Sequence, residues 1–552
     1  MKNTHTADDR FVARWLGTAT TLSSRAYGAI ARRPLVSAVL VTVMALLLAA
    51  AASAAHGFRP PGVHDEFSYL LGADTFASGR LTNPTHPMWR YFDTFHVLQQ
   101  PTYNSKYPPA NALFIAAGWV LTGRPIVGVW VSFAFMCVAV YWMLRAWIGG
   151  QWGLGLALAI SSWLAATYWS FSYWGGAVAA GAGALMLGAL YRIVEQRGGT
   201  GNAILLGLGL LLLANSRPYE GALLALPAAV VLVRWLWRDR QATWRRKCTS
   251  VMLPLLLVGA VGVSCMGAYN KAVTGSWRDM PYMAYERHFN VNPIFLWQDS
   301  NRPAAVVDKA TDHGSRSSQD RYFSSARTPA GRLSYVRALT TDFLVFVIPV
   351  GVALPLLLLP LATRKRWTRF ALITSAWMVF GMGVPTYFQT HYAAPLVGLL
   401  VGLYGDCLRW LARFRLGTRP LGRTFAAAIV ALWFLMGVGS NARFFLAQRG
   451  PSSKARSSEG WRWQRQLISD TLSRRSRRNL VIVRYSGTRE FNNEWVYNAA
   501  NIDASPVVWA RDMGDSGNQP LLDYFRDRIF WVVNVNADQG PYRVSRYVPL
   551  VP

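Results

Sequence analysis

Acidic residues are scarce in this chain. Its 552 residues include 27 Asp and Glu against 57 Lys and Arg, a formal net charge of +30. Charged residues of all kinds make up only 15% of it, whereas a soluble protein carries about 25%. That shortfall, beside a hydrophobic share of 52%, excludes an ordinary soluble globular protein. Cysteine is sparse as well. Cys137, Cys248, Cys265 and Cys407 stand alone in or beside apolar segments, so neither a disulfide framework nor a thiolate metal spacing is present. The polar C-terminal region carries no phosphate-binding glycine motif, so no nucleotide site is read there. The charged N-terminal stretch lacks a small-residue cleavage site, so residues 1–33 read as a cytoplasmic tail ahead of a first spanning helix.

The apolar residues gather in blocks of about 20, enough to cross a bilayer core of about 30 Å. The blocks lie at 34–55, 125–147, 152–170, 175–195, 202–216, 218–238, 249–271, 341–363, 370–388, 391–410 and 423–443. The expected architecture is a polytopic α-helical membrane protein with about 11 spanning helices. Lys and Arg fall in the connectors, for example Arg32-Arg33, Arg234 to Lys247, Arg364-Lys365-Arg366 and Arg409 to Arg423. This is the positive-inside pattern rather than the basic face of a nucleic-acid binder, so no nucleic-acid partner is expected.

With the basic clusters inside, 56–107 and 272–338 become external loops. An odd number of crossings must then separate 56–107 from the connector at 145–150. The short apolar segment 109–122 is therefore expected to be a half-membrane or surface helix. The polar region 445–552 is expected outside, as a small α/β domain. It reads as helix Glu459 to Ser473, strand Asn479 to Tyr485, strand Pro506 to Ala510, helix Pro520 to Asp527 and strand Arg528 to Val535. Residues 34–444 form the transmembrane domain between tail and outer domain.

Against this poverty of acids, Asp65 and Glu66 stand together just past the first apolar block. They open a helical pattern of Phe67, Leu70, Leu71 and Phe76 that Gly79 closes. Two carboxylates in a first turn suit the helix dipole, which alone would account for them. The loop around them is rich in ligand-binding side chains: His64, Tyr69, His86, Arg90, His96, Lys106 and Tyr107. None of the acids and histidines shows the helical i, i+4 ligand spacing of a zinc site, so no metal and no other cofactor is assigned, while a divalent ion stays open.

The stretch Asp65-Glu66-x-x-Tyr69-Leu70-x-x-Ala73-Asp74-x-x-Ala77-x-Gly79-Arg80-Leu81 resembles the first-loop motif of GT-C fold membrane glycosyltransferases. It is closest in style to the protein O-mannosyltransferase and lipid A aminoarabinose transferase superfamily. Ser105-Lys106-Tyr107-Pro108-Pro109, Asn215 to Glu220 and His391 to Pro395 resemble later pieces of the same pattern. The resemblance covers roughly residues 34–240 and weakens beyond; the C-terminal domain matches no characterised member. It implies a GT-C-like fold and a hexosyl- or pentosyltransferase that takes sugar from a polyprenyl-phosphate-linked donor. It further implies an extracytoplasmic lipid, glycan or protein as acceptor, and the outer face of a bacterial inner membrane as the setting. The motif's catalytic acid falls on Asp65, with Glu66 orienting it or sharing its role. Lys106 and Arg217, with His391 and Tyr392, are the candidates for the donor phosphate. An arginine beside the membrane calls for such a reason. A transporter or lipid flippase would carry ionisable groups at mid-membrane depth, often in two related halves. A non-catalytic envelope-assembly protein would have no need of Asp65.

Overall fold

The computed structural model describes residues 25–289, 293–298, 323–447, 460–475, 477–486, 492–536 and 542–547. The greater part of the expected N-terminal tail and the middle of the second expected loop, 299–322, lie outside the described residues. The described chain is mostly helical, with a multi-pass membrane bundle and a small sheet domain at its C-terminal end.

Among the described residues, seven helices are long and apolar enough to cross a membrane: Pro34–Ala55, Pro125–Ile148, Ala177–Glu195, Pro218–Arg238, Trp244–Thr274, Thr390–Leu411 and Leu421–Arg443. That is fewer than the eleven expected. The blocks at 152–170, 202–216 and 370–388 form helices of 16, 15 and 17 residues, Gly150–Ala165, Thr200–Ala214 and Arg366–Met382. The block at 341–363 is not one helix. The helix Pro329–Val347 stops there, and the chain continues through 3-10 turns and the four-residue helix Leu359–Ala362. Pro349, Pro355 and Pro360 explain the break, because each removes a backbone donor and crowds the preceding turn. Hydropathy sees apolarity and is blind to that.

Proline also starts helices here. Pro34, Pro109, Pro125, Pro218 and Pro329 each occupy the first helical turn, where no backbone donor is required. The short segment Pro109–Thr122 is a helix of 14 residues that folds straight back onto Pro125–Ile148. Gly123, at φ +72°, turns the chain between them. Contact is tight: a Cβ on Gly118 would lie 2.0 Å from the Gly128 nitrogen, and one on Gly128 would lie 2.2 Å from the Phe114 carbonyl oxygen. Only glycine permits that approach.

The C-terminal domain follows the expected order of elements closely. Helix Gly460–Ser473 leads to β4 (Asn479–Ser486), β5 (Val507–Arg511), helix Asp515–Tyr524, β6 (Ile529–Asn536) and β7 (Val544–Arg546). The sheet order is β5-β4-β6-β7, with β4 parallel to both neighbours and β7 antiparallel at the edge. Leu480 to Val483 of β4 are fully buried, as the central strand of a covered parallel sheet must be. A smaller sheet lies in the first loop, with β1 (Asn83–Pro84) and β2 (Val97–Leu98) flanking β3 (Thr102–Ser105).

The C-terminal domain has no core separate from the first loop. Phe67, Leu71, Phe92, Val97 and Tyr103 of the first loop share one apolar cluster with Trp461, Trp495, Trp509, Trp531 and the strand residues. The opposite side of the first-loop helix packs elsewhere. Tyr69 and Ala73 meet Ile115, Ala116, Ile126 and Val129 of the helical hairpin.

Candidate functional site

The first-loop acids do open a helix, His64–Ala77, with Asp65 and Glu66 in its first turn. Helical periodicity sends them to different surroundings. Glu66 is buried. One of its oxygens accepts from the Gly62 N–H at 2.8 Å; the other accepts from the Ser172 hydroxyl at 2.6 Å and the Tyr173 N–H at 3.2 Å. Arg59 and Arg462 lie within electrostatic reach of it. Glu66 is thus fully engaged in tying the first loop to the segment after helix Gly150–Ala165. Asp65 is only half-buried, and its Oδ1 accepts from the Tyr107 hydroxyl. Burial, and then the neighbouring Asp65 charge, push the Tyr107 hydroxyl well above its ordinary range, so it stays protonated and donates.

Tyr107 brings the other candidates together. Its ring stacks on Tyr69 with centroids 4.5 Å apart. The Lys106 ammonium lies 5.5 Å from the same ring, and 4.9 and 4.4 Å from the rings of Tyr282 and Tyr285. Arg217, at the N-terminal end of Pro218–Arg238, lies within electrostatic reach of Glu220 and of the Tyr69, Tyr107 and Tyr392 hydroxyls. Its guanidinium sits over the Tyr392 ring at 4.2 Å and makes no hydrogen bond or ion pair among the described residues. Asp65, Lys106 and Arg217 therefore converge on one wall of tyrosines.

The two cations differ in their partners. Lys106 is buried and pairs with Glu286 at 2.9 Å, both side chains under a tenth exposed. Glu286 stands on the second-loop helix Pro281–Phe289. That helix is tied to the first loop a second time, where the His96 N–H donates to the Tyr285 hydroxyl at 3.0 Å. The second-loop helix thus lies against the first-loop site, and the sequence alone assigns Glu286 no role.

The remaining candidates separate. His391 is buried, 3.1 Å from the Tyr168 hydroxyl and edge-on to Trp174 and Tyr392. His64 is buried, its Nδ1 2.6 Å from the Tyr497 hydroxyl of the C-terminal domain. Arg90 is exposed on the turn Trp89–Phe92, with its guanidinium over Trp89, and its contacts do not reach the tyrosine wall. Among the described residues, no three His, Cys, Asp or Glu side chains gather as a metal ion would require. Ser172 and Tyr497 carry no sequence signal: each is an ordinary polar residue whose partner lies 106 or 433 positions away.

No family model matches the chain, and no curated protein matches it. Solved structures do. ArnT from Cupriavidus metallidurans bound to undecaprenyl phosphate superposes with a TM-score of 0.52 at 14% identity, covering 90% of this chain and 92% of that one. Its apo state gives 0.50 at 15% identity with the same coverage. The chain has the GT-C fold. An oligosaccharyltransferase from Archaeoglobus fulgidus, in complex with an inhibitory peptide and a dolichol-phosphate, also matches. Its TM-score is 0.41 at 11% identity, over 90% of this chain and 69% of that one. At such identities it is the fold that is shared, and a coverage of 90% carries the ArnT likeness beyond the membrane bundle into the C-terminal region.

Proposed function

We propose that this chain is a membrane glycosyltransferase that moves a hexosyl or pentosyl group from a polyprenyl-phosphate-linked donor to an extracytoplasmic acceptor. The observation that carries the reading is Tyr107, which hydrogen-bonds Asp65, lies beside Lys106 and is within electrostatic reach of Arg217. A base and two cations around one wall are what transfer from a lipid phosphate needs.

In the reaction, an acceptor hydroxyl attacks the anomeric carbon of the donor sugar and gives its proton to Asp65. The bond between that carbon and the phosphate oxygen breaks, and its electron pair stays on the leaving phosphate. Lys106 and Arg217 stabilise the growing negative charge there, in a site whose burial strengthens the interaction. Tyr392 holds Arg217 in place by its ring, and His391 supports Tyr392. Glu66 positions the helix that bears Asp65 and does not exchange protons with substrate, since its oxygens already accept three hydrogen bonds. His64 and Tyr69 align the same helix from its two sides. Arg90 lies outside the reacting centre. As the donor phosphate arrives, it takes the place of Glu286 as the partner of Lys106.

The reading extends to placement. Residues 1–33 form a cytoplasmic tail, 34–444 the transmembrane domain and 445–552 an outer domain, with the site on the extracytoplasmic side of a bacterial inner membrane. The ArnT structure with undecaprenyl phosphate supports the donor class.

The test is Asp65→Asn in membranes, with expression checked. The assay follows undecaprenyl phosphate released from a panel of undecaprenyl-phosphate-linked pentoses and hexoses. Loss of a general base lowers turnover by about 100-fold or more. Undiminished release by Asp65→Asn would overturn the assignment.

A further inference from the structure

The helix that carries Asp65 is held on one side by a segment of the outer domain. Residues His64, Phe67, Leu71 and Asp74 fall at helical spacing on one stripe. All four meet that domain. The His64 Nδ1 lies 2.6 Å from the Tyr497 hydroxyl. The Phe67 ring lies flat on the Tyr497 ring, with centroids 4.1 Å apart and planes 2° apart. Leu71 belongs to the cluster shared with the outer domain. At the far end, the Ala500 N–H donates to Asp74 Oδ2 at 2.7 Å.

The gripping segment is itself rigidly mounted. Arg465 donates to the Trp495 and Tyr497 carbonyl oxygens at 2.9 and 2.7 Å. The Asn498 side chain bonds both the N–H and the carbonyl of Trp509 in β5. Buried Glu494 accepts from the Trp495 and Val496 N–H groups and pairs with Arg511 at 3.1 Å. Arg511 in turn donates to the Asp93 carbonyl of the first loop at 3.1 Å.

We propose that the outer domain is a positioning module for the Asp65 helix, and that Tyr497 is its positioning residue. Tyr497 touches the residue before Asp65 and the residue two after it, so it fixes the first turn against rotation and slide. Misplacing a catalytic group by about 1 Å costs about 100-fold in rate. The proposal rests on Asp65 acting as the base.

The test compares Tyr497→Phe with the parent chain in nanodiscs. Phe keeps the stack on Phe67 and removes the hydroxyl alone. Binding of undecaprenyl phosphate counts the competent molecules, and release of undecaprenyl phosphate from the linked sugar gives kcat and KM. The expected result is a kcat per competent molecule lowered by about tenfold, with donor KM unchanged. His64→Leu produces the same loss, and the double variant is no worse than either single one. Asp74→Ala, at the far end of the grip, lowers kcat in the same direction and serves if Tyr497→Phe does not accumulate. Unchanged kcat, or a loss accounted for wholly by fewer competent molecules, would overturn the proposal. If Asp65→Asn is itself active, the catalytic reading falls. If Asp65→Asn is inactive and Tyr497→Phe fully active, this inference falls alone.

Discussion

Gly62 matters for what passes over it. A Cβ there would lie 1.9 Å from the guanidinium carbon of Arg462, which is buried and donates to the Pro60 carbonyl. The Gly62 N–H also holds Glu66. Gly62→Ala must push Arg462 out of a buried position and disturb that hydrogen bond. The expected cost is about 1–3 kcal/mol, visible as a lowered thermal unfolding midpoint in detergent. His96 supplies a second prediction at this scale. Burial, then Lys106 and His64, hold its imidazole well below the ordinary histidine value, and its Nδ1 is buried without a hydrogen-bond partner. The folded state keeps it neutral, while the unfolded chain binds a proton below about pH 6.5. Its stabilising contribution is therefore complete above that value and is lost as pH falls from there toward the depressed folded value. His56, pushed down to about 4 by burial and by Arg59, acts in the same direction. Unfolding midpoints measured from pH 7.5 to 5.5 should fall, and His96→Gln should flatten the slope.

At the scale of elements, the second-loop helix Pro281–Phe289 supplies Glu286, the carboxylate paired with Lys106, and on the proposed mechanism the donor phosphate displaces it. Competition of this kind has a sign. Glu286→Gln removes the rival charge and should tighten binding of undecaprenyl phosphate by about tenfold, or 1.4 kcal/mol. Weaker binding in a titration would show that Glu286 orders the site instead of competing for its cation. Elements also show what could be read from sequence alone. The outer strands were legible because short β-branched runs stand between polar turns: Asn479 to Tyr485 was expected and Asn479–Ser486 is observed. The motif helix was legible from its apolar spacing and its glycine stop. The segment 341–363 was not, because its mean apolarity hid three prolines. The pairs Lys106–Glu286 and His64–Tyr497 were not either, since they span 180 and 433 positions and no local rule connects them. Asp65 and Lys106 could be named singly, while their convergence on Tyr107 required the fold.

For the whole molecule, the arrangement of basic connectors and apolar helices makes a directional prediction. A reporter fused after residue 445 should be active only outside the cytoplasm, and a cytoplasmic signal would reverse the orientation argued from charge. The shared cluster of Phe67, Leu71, Phe92, Val97 and Tyr103 with the outer sheet makes another. Removing residues 460–552 strips one side of the motif helix of its packing. The expected outcome is loss of transfer together with faster proteolysis of the first loop in spheroplasts, while the membrane bundle, whose own cluster excludes the outer domain, stays protease-resistant.

The distance in sequence between the motif helix and its grip also orders events during synthesis. Asp65 is made early, yet Tyr497 follows its partner His64 by 433 residues. A nascent chain can thread its helices into the bilayer before the partner of His64 exists. On the proposed roles, a product stalled ahead of Tyr497 leaves the Asp65 helix without its grip and is expected to be silent in transfer.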